Sequence, residues 1–348
     1  MDEFHGARGV QRSVAPRQLK RAAPDAGLDK LLDAFLDVNP NTGLLVLKGD
    51  AILAERYQYG RTAQHRFASA SVAKTVLGML VGIAVSEGKL KLEDRVAQHV
   101  PALAGQAYGD ATVRDLLTMS SGVGTGEPYH LPLEAAKIHA NTLRLQTEGG
   151  ADALRGFEWR EAPGGTRFRY ASADSQVLGL VLTNAVKQPL AEYLSDKIWR
   201  PMGAEAHATW LLDKAGYETG FCCLNAVLRD YARFGMLLAN YGALDGKQII
   251  PAGWVKAAAT PSAKHLEVGT ATPNNGYGYQ TWITSRPRAG GDPVRFAALG
   301  LHGQAIFIDP ARKLVVVHTA AWADGRDRHA RGAQFKLFES IVSKLENQ

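Results

Sequence analysis

The hydrophobic positions of the chain are most concentrated between Phe67 and Gly88. Small and hydroxyl-bearing residues at 68–71 lead into an almost unbroken apolar run, and Gly88 stands where a helix would end. A helix that is apolar on all sides belongs in the interior of a protein, and glycine supplies the left-handed residue that commonly closes a helix. The pattern therefore predicts a buried central helix with Ser71 and Lys74 near its N-terminus.

The hydrophobic pattern before this helix predicts a shorter helix followed by a pair of strands. Apolar residues at helical spacing from Leu28 to Leu36 predict a helix that ends at Asn39-Pro40-Asn41. Two apolar runs, 44–47 and 51–54, are separated by the turn sequence Lys48-Gly49-Asp50. This arrangement is typical of an antiparallel hairpin.

Beyond the central helix, helical patterns continue to about residue 240 and strand-like patterns follow. Thr112 with Asp115 three residues later resembles a helix N-terminal cap, and Leu228 to Asn240 is amphipathic. Apolar runs between 276 and 318 predict strands, and Gln334 to Leu345 predicts a closing helix. Strands at both ends with helices between them predict one antiparallel sheet assembled from the two termini.

The expected fold class is therefore α+β, with an antiparallel sheet flanked by helices and a mostly helical insertion. Residues 1–27 are expected to form a basic, flexible arm. Residues 28–70 and 241–348 are expected to form an α/β domain that carries the sheet, and residues 71–240 a mostly helical domain. The active site is expected between these two domains.

Composition narrows the class of protein. With 348 residues, 46% hydrophobic and 21% charged, the chain resembles an ordinary soluble globular protein. Part of the net charge of +6 lies near the start, but no aromatic residues are interleaved with it, so we expect a solvated arm and no nucleic-acid partner. No apolar run approaches the length of a membrane span.

The two cysteines and the first thirty residues bear on the cellular compartment in which the protein is expected. Cys222 and Cys223 are adjacent, so they cannot link distant segments, and we expect them to pack in the interior. The first thirty residues lack the hydrophobic core of a signal peptide. A cytoplasmic location is therefore expected, with the periplasm or secretion open if a signal has been removed.

Candidate chemistry begins with Ser71 and Lys74. Residues three apart on a helix lie on one face, and a lysine beside an apolar helix requires a partner or a lowered pKa. A serine nucleophile needs such an amine within reach. Ser-x-x-Lys also occurs by chance, but a merely solvated pair would lie on an amphipathic helix.

Three motifs together carry a family resemblance. They are Ser71-Val72-Ala73-Lys74, Tyr170-Ala171-Ser172, and Ala298-Leu299-Gly300-Leu301-His302-Gly303-Gln304. In this order and at these separations they resemble the penicillin-recognising serine hydrolases, which include class C β-lactamases, DD-peptidases and related carboxylesterases. The resemblance extends over roughly residues 40–345 and is strongest to the branch of esterases and 6-aminohexanoate-dimer hydrolases. It implies a β-lactamase/transpeptidase-like fold.

The resemblance implies an acyl-enzyme mechanism. Ser71 would attack an ester or amide carbonyl, while Lys74 and Tyr170 would share its proton and pass it to the leaving group. Both side chains have reference pKa values near 10, so which of them is the base stays open. By the same resemblance, the backbone N–H groups of Ser71 and Leu301 would hold the oxyanion.

Departures from the family pattern bear on the substrate. Ser172 stands where β-lactamases have asparagine, and Ala298, or His302 in the rival register, stands where they have lysine. Without a fixed cation for a substrate carboxylate, we expect hydrolysis of esters or small amides rather than effective β-lactam hydrolysis. Ser172, His302, Gln304 and Trp159 are predicted to bind substrate, although His302 could be structural and Trp159 a packed core residue.

Two alternatives stay open: a true β-lactamase or DD-peptidase acting on β-lactams or peptidoglycan, and a non-catalytic binding protein that keeps the fold. The expected partner is a small ester or amide. No metal or organic cofactor is implied. The oligomeric state stays open, with a homodimer as one alternative.

Overall fold

The computed structural model describes residues 6–124, 148–154, 157–286 and 294–346, together with Ile138 and Thr142. The helices of these parts are α1 (Ala26–Val38), α2 (Val72–Ser86), α3 (Val96–His99), α4 (Val113–Leu117), α5 (Ser172–Val186), α6 (Leu190–Leu194), α7 (Leu228–Ala239), α8 (Ala252–Ala258) and α9 (Arg328–Glu346). The strands are β1 (Ala7–Val10), β2 (Lys20–Arg21), β3 (Gly43–Lys48), β4 (Ala51–Tyr57), β5 (Arg66–Ala68), β6 (Val123–Gly124), β7 (Trp159–Arg160), β8 (Ala208–Leu211), β9 (Leu224–Val227), β10 (Ala243–Leu244), β11 (Lys247–Gln248), β12 (Gly276–Tyr277), β13 (Trp282–Ile283), β14 (Phe296–Leu299), β15 (Ala305–Asp309) and β16 (Leu314–Thr319).

The largest sheet joins the two ends of the chain. Its strand order is β12-β13-β14-β15-β16-β3-β4-β2. Every pair is antiparallel except β2 with β4. The central pairing of β16 with β3 brings Leu314 opposite Lys48 and Thr319 opposite Gly43. The predicted antiparallel sheet built from both termini is confirmed.

Side-chain alternation along β16 explains how this sheet is covered on both faces. Val315 and Val317 belong to the large core shared with the helical region, whereas Leu314 and Val316 pack with α1 and α9. Successive strand residues point to opposite faces, so a continuous apolar run fits a sheet that is buried on both sides. On the first face α7 packs against β3, β15 and β16.

Glycines allow close packing on both sides of the core. A Cβ on Gly235 of α7 would lie 2.5 Å from Val315 Cγ1, so the helix can rest directly on the sheet. A Cβ on Gly82 of α2 would collide with the indole ring of Trp254. The indole N–H of that tryptophan donates to Gly78 O at 3.0 Å. The prediction of a buried central helix is confirmed, because α2 is buried from Val72 to Ala84.

The prediction of a flexible arm is wrong for the described part of residues 1–27. Strand β1 pairs with β8 in a second sheet of order β1-β8-β9-β5, and β2 joins the large sheet. Several basic residues of this segment pair with carboxylates. Arg8 Nη1 lies 2.6 Å from the buried carboxylate of Glu218, and Lys20 pairs with Asp50 at 2.9 Å.

Two predicted boundaries also shift. Helix α7 was assigned to the helical segment 71–240 but packs on the large sheet. The closing helix begins at Arg328, six residues before the predicted Gln334, so Arg331 lies in its first turn. No helix among the described residues has both the length and the apolar character needed to cross a membrane.

Candidate active site

The N-terminus of α2 brings Ser71 and Lys74 together. Lys74 is 1% exposed, and its Nζ donates to Ser71 Oγ at 3.0 Å and to Phe221 O at 2.8 Å. The carbonyl fixes the amine beside the hydroxyl, and a neutral amine in this position would still have a lone pair to accept a proton. The geometry is that of a serine with an adjacent general base.

Tyr170 lies on the other side of the amine. Lys74 Nζ is 5.1 Å from the centroid of its ring. The ring stacks on Trp282, with centroids 5.1 Å apart and planes at 28°, and meets Tyr277 edge-on. Burial raises the pKa of Tyr277 well above its ordinary value, which keeps that phenol neutral. The three side chains Ser71, Lys74 and Tyr170 therefore converge, and their catalytic roles stay a prediction.

A loop from Gly300 to Gln304, the strand loop, approaches the start of α2. A Cβ on Gly300 would lie 2.7 Å from Ser69 O and 2.9 Å from Ala70 Cβ, so only glycine allows this approach. Within the described residues, neither the Ser71 N–H nor the Leu301 N–H has a hydrogen-bond acceptor. Two unpartnered backbone donors beside a serine hydroxyl can stabilise an oxyanion.

Side chains from distant elements hold the carbonyl groups of the strand loop. His318 of β16 and Gln334 of α9 both contact Gly303 O, at 2.7 and 3.0 Å. Burial lowers the pKa of His318 to about 4, so its ring is neutral and can donate from Nδ1. Arg331 donates to Gly300 O and Gln304 O. The loop is thereby fixed from behind.

Backbone strain also accumulates here. Three non-glycine residues with positive φ lie beside candidate residues, namely Ala70 (42°), Met119 (54°) and His302 (58°). Ala70 precedes Ser71, Met119 packs with Tyr170, and His302 follows Leu301. Such conformations cost on the order of 1 kcal/mol or more and tend to occur at functional sites.

The predicted substrate-binding residues have different positions. Ser172 is buried as the first residue of α5. His302 is exposed, with Nδ1 at 2.6 Å from Trp322 O. Gln304 is buried, and its Nε2 donates to His302 O and Ala320 O, so this nitrogen braces the loop.

The exposure of Trp159 and the positions of Ala298 and His302 bear on the two alternatives that the sequence left open. Trp159 is 58% exposed, so the alternative of a packed core tryptophan is wrong. Ala298 is fully buried within β14, whereas His302 is exposed on the strand loop. Neither residue places a permanent cation at the motif.

Sequence reasoning missed three contributors. Phe221 acts through its carbonyl, which no side-chain pattern reveals. Cys222 and Cys223 are joined to each other by a disulfide directly after it. The predicted closing helix began at Gln334 and so left out Arg331, which lies in the first turn of α9. No cluster of three or more His, Cys, Asp or Glu side chains suited to a metal occurs in the described parts of the chain.

Comparison with known proteins gives a consistent result. The family model described as Beta-lactamase matches residues 28–337. The 6-aminohexanoate-dimer hydrolase of Paenarthrobacter ureafaciens is 28% identical over 339 residues, which cover 93% of this chain and 85% of that protein.

Solved structures agree on the fold. The structure named "Putative 6-aminohexanoate-dimer hydrolase from Bacillus anthracis" superposes with a TM-score of 0.86 at 26% identity, covering 99% of this chain and 92% of that one. EstCE1, described as a hydrolase with promiscuous acyltransferase activity, gives a TM-score of 0.69 at 17% identity and covers 88% of this chain and 98% of its own. The second likeness concerns the fold alone.

Proposed function

The chain belongs to the Beta-lactamase family of hydrolases, and from this premise we propose that it cleaves ester or small amide bonds through an acyl-enzyme on Ser71. The observation that carries the proposal is the buried Lys74 amine, 3.0 Å from Ser71 Oγ and anchored by Phe221 O. A lysine so placed is a general base within reach of the nucleophile. Tyr170 completes the proton path at the same amine.

The proposed steps follow from the positions of these groups. Lys74, assisted by Tyr170, takes the proton of Ser71 as Oγ attacks the carbonyl carbon. The N–H groups of Ser71 and Leu301 hold the negative oxygen of the tetrahedral intermediate. The proton then passes to the leaving alcohol or amine, and water releases the acyl group by the reverse path.

The substrate class follows from charge. Neither Ala298 nor His302 offers the permanent cation that would bind a substrate carboxylate at the third motif. We therefore propose simple esters and small amides as better substrates than penicillins. Because a 6-aminohexanoate-dimer hydrolase is similar over most of the chain, the linear dimer of 6-aminohexanoate is the amide to test first.

The experiment measures turnover of p-nitrophenyl acetate, p-nitrophenyl butyrate, the 6-aminohexanoate dimer and nitrocefin. We expect ester hydrolysis that Ser71→Ala abolishes and Ser86→Ala leaves unchanged, since Ser86 lies at the far end of α2. A fluorophosphonate probe should label the native protein but not Ser71→Ala. Nitrocefin hydrolysis far faster than ester cleavage would favour the β-lactamase alternative, and no labelling or turnover at all would contradict catalysis.

A further inference from the structure

Arg331 of α9 contacts the carbonyl oxygens of the strand loop. Its Nη2 donates to Gly300 O, and its Nη1 contacts Gln304 O at 3.4 Å and Gln334 Oε1 at 2.5 Å. The guanidinium carbon lies 5.0 Å from the centroid of the Trp322 ring. A planar cation is thus held between an aromatic face and the carbonyl oxygens of one loop.

The charge balance of Arg331 is unusual for this molecule. Two other buried arginines, Arg233 and Arg295, each pair with two carboxylates. Among the described residues no carboxylate pairs with Arg331. Burial lowers its pKa to about 10, while an interaction with Tyr170 raises it, so the side chain stays charged at neutral pH. A partly buried cation that, among the described residues, has no carboxylate partner favours any negative charge that arises nearby.

The covalent geometry of the loop connects this cation to the oxyanion site. Gly300 C=O and Leu301 N–H belong to the same peptide group, which is planar and trans. The C=O and N–H bonds therefore point in opposite directions, and their dipoles add. When Arg331 holds the oxygen, the direction of the N–H at the opposite edge of the same plane is fixed as well. A charged donor on the oxygen also polarises the group and makes its N–H a stronger donor.

We propose that Arg331 is the positioning residue of the oxyanion site: it orients and polarises the Gly300–Leu301 peptide so that the Leu301 N–H stabilises the tetrahedral oxyanion. The inference rests on the proposed function for its catalytic consequence. It supplies a positive charge to the third motif from helix α9, in a chain whose motif itself contains none. In this arrangement Arg331 acts through the main chain of the strand loop.

Kinetics provide the first test. In Arg331→Gln we expect kcat for esters to fall about 10- to 100-fold, somewhat less than for direct loss of an oxyanion donor, with KM nearly unchanged. A thionoester carries sulfur, a poor hydrogen-bond acceptor, in place of the carbonyl oxygen. Its turnover should fall much less, so the ester-to-thionoester rate ratio decreases. Arg331→Lys should recover part of the ester rate. The control Arg328→Gln removes an exposed charge from the same helix and should change neither rate.

A second readout does not depend on catalysis. With carbonyl-¹³C glycine and ¹⁵N leucine, the Gly300–Leu301 peptide gives a cross-peak that is assigned by its loss in Leu301→Ile. In Arg331→Gln the Gly300 carbonyl carbon should move upfield, because it loses a charged donor, while Arg328→Gln leaves it in place. If Arg331→Gln does not fold, Arg331→Lys gives the same test with a smaller shift.

The outcomes separate the two proposals. An unmoved carbonyl signal, or ester and thionoester rates that fall equally, would overturn the role of Arg331 even in an active serine hydrolase. A moved signal in a protein without any Ser71-dependent turnover would support the contact and contradict the proposed function. A moved signal with a reduced rate ratio supports both.

Discussion

The two sides of the candidate site are built in opposite ways. On the lysine side, Ser71 and Lys74 lie three residues apart on one helix, and the carbonyl Phe221 O accepts from the amine. On the other side, the strand loop offers only backbone groups, and residues up to 31 positions away hold it. Proton transfer requires particular side chains, whereas oxyanion binding requires a rigid main chain. Damage to the lysine side should therefore be severe, and damage to the strand loop graded.

The largest effect is expected from Lys74→Met. The thioether side chain keeps the apolar volume but removes the proton acceptor, so kcat/KM for esters should fall about 10³- to 10⁴-fold. The measurement is steady-state hydrolysis of p-nitrophenyl butyrate. Lys89→Met, an exposed lysine beyond the other end of α2, is the matched control and should retain activity. A Lys74→Met enzyme with near-native rates would remove the distinction between the two sides.

Tyr170→Phe should follow with a loss of about 10²- to 10³-fold in kcat/KM. The phenylalanine ring keeps the stacking on Trp282, so the fold and its melting temperature should change little. Tyr277→Phe removes a hydroxyl from the adjacent ring and serves as control. Equal losses in the two variants would mean that the aromatic packing, and not the Tyr170 hydroxyl, matters.

The same contrast explains what the sequence reveals. The buried helix α2, the hairpin of β3 and β4 and the final strands were predictable because their apolar patterns are local. The pairing of β1 with β8 was not, because it joins segments that are far apart in the sequence: Arg8 of β1 pairs with Glu218 at a separation of 210. Phe221 O and Arg331 escaped for the same reason: one is a backbone group, and the other acts through the backbone of a distant loop.

His318, which holds the strand loop at Gly303 O, should make the stability of the protein depend on pH. Burial lowers the pKa of His318 from 6.5 to about 4, so below pH 6.5 the unfolded chain takes up a proton that the folded protein does not. The stabilisation is complete above pH 6.5 and is lost as the pH falls towards 4, by about 3 kcal/mol. Urea unfolding of the native protein and of His318→Gln should show this difference.

The comparison of these two proteins isolates the histidine from the other titrating groups. The free energy of unfolding of the native protein should approach that of His318→Gln as the pH falls from 6.5 to 4. Parallel pH profiles for the two proteins would show that His318 is not held neutral in the fold.

The smallest effect concerns the disulfide beside Phe221. Cys223 has a φ of 72°, and the Cys222–Cys223 bond closes the turn that presents Phe221 O to Lys74. Cys222→Ser/Cys223→Ser should relax this turn and lower kcat by about tenfold or less, since misplacing a catalytic group by a fraction of an ångström reduces the rate. Treatment with a dithiol reductant should lower the rate of the native protein to the same level and leave the double variant unchanged. A double variant with the full native rate would show that the disulfide does not position the amine.

The central claim is the covalent step on Ser71. Intact-mass spectrometry of protein quenched during turnover of p-nitrophenyl butyrate, followed by peptide mapping, tests it directly. We predict a butyryl adduct on the peptide that carries Ser71 and none in Ser71→Ala. Turnover that persists in Ser71→Ala, or an adduct on another residue, would contradict the account.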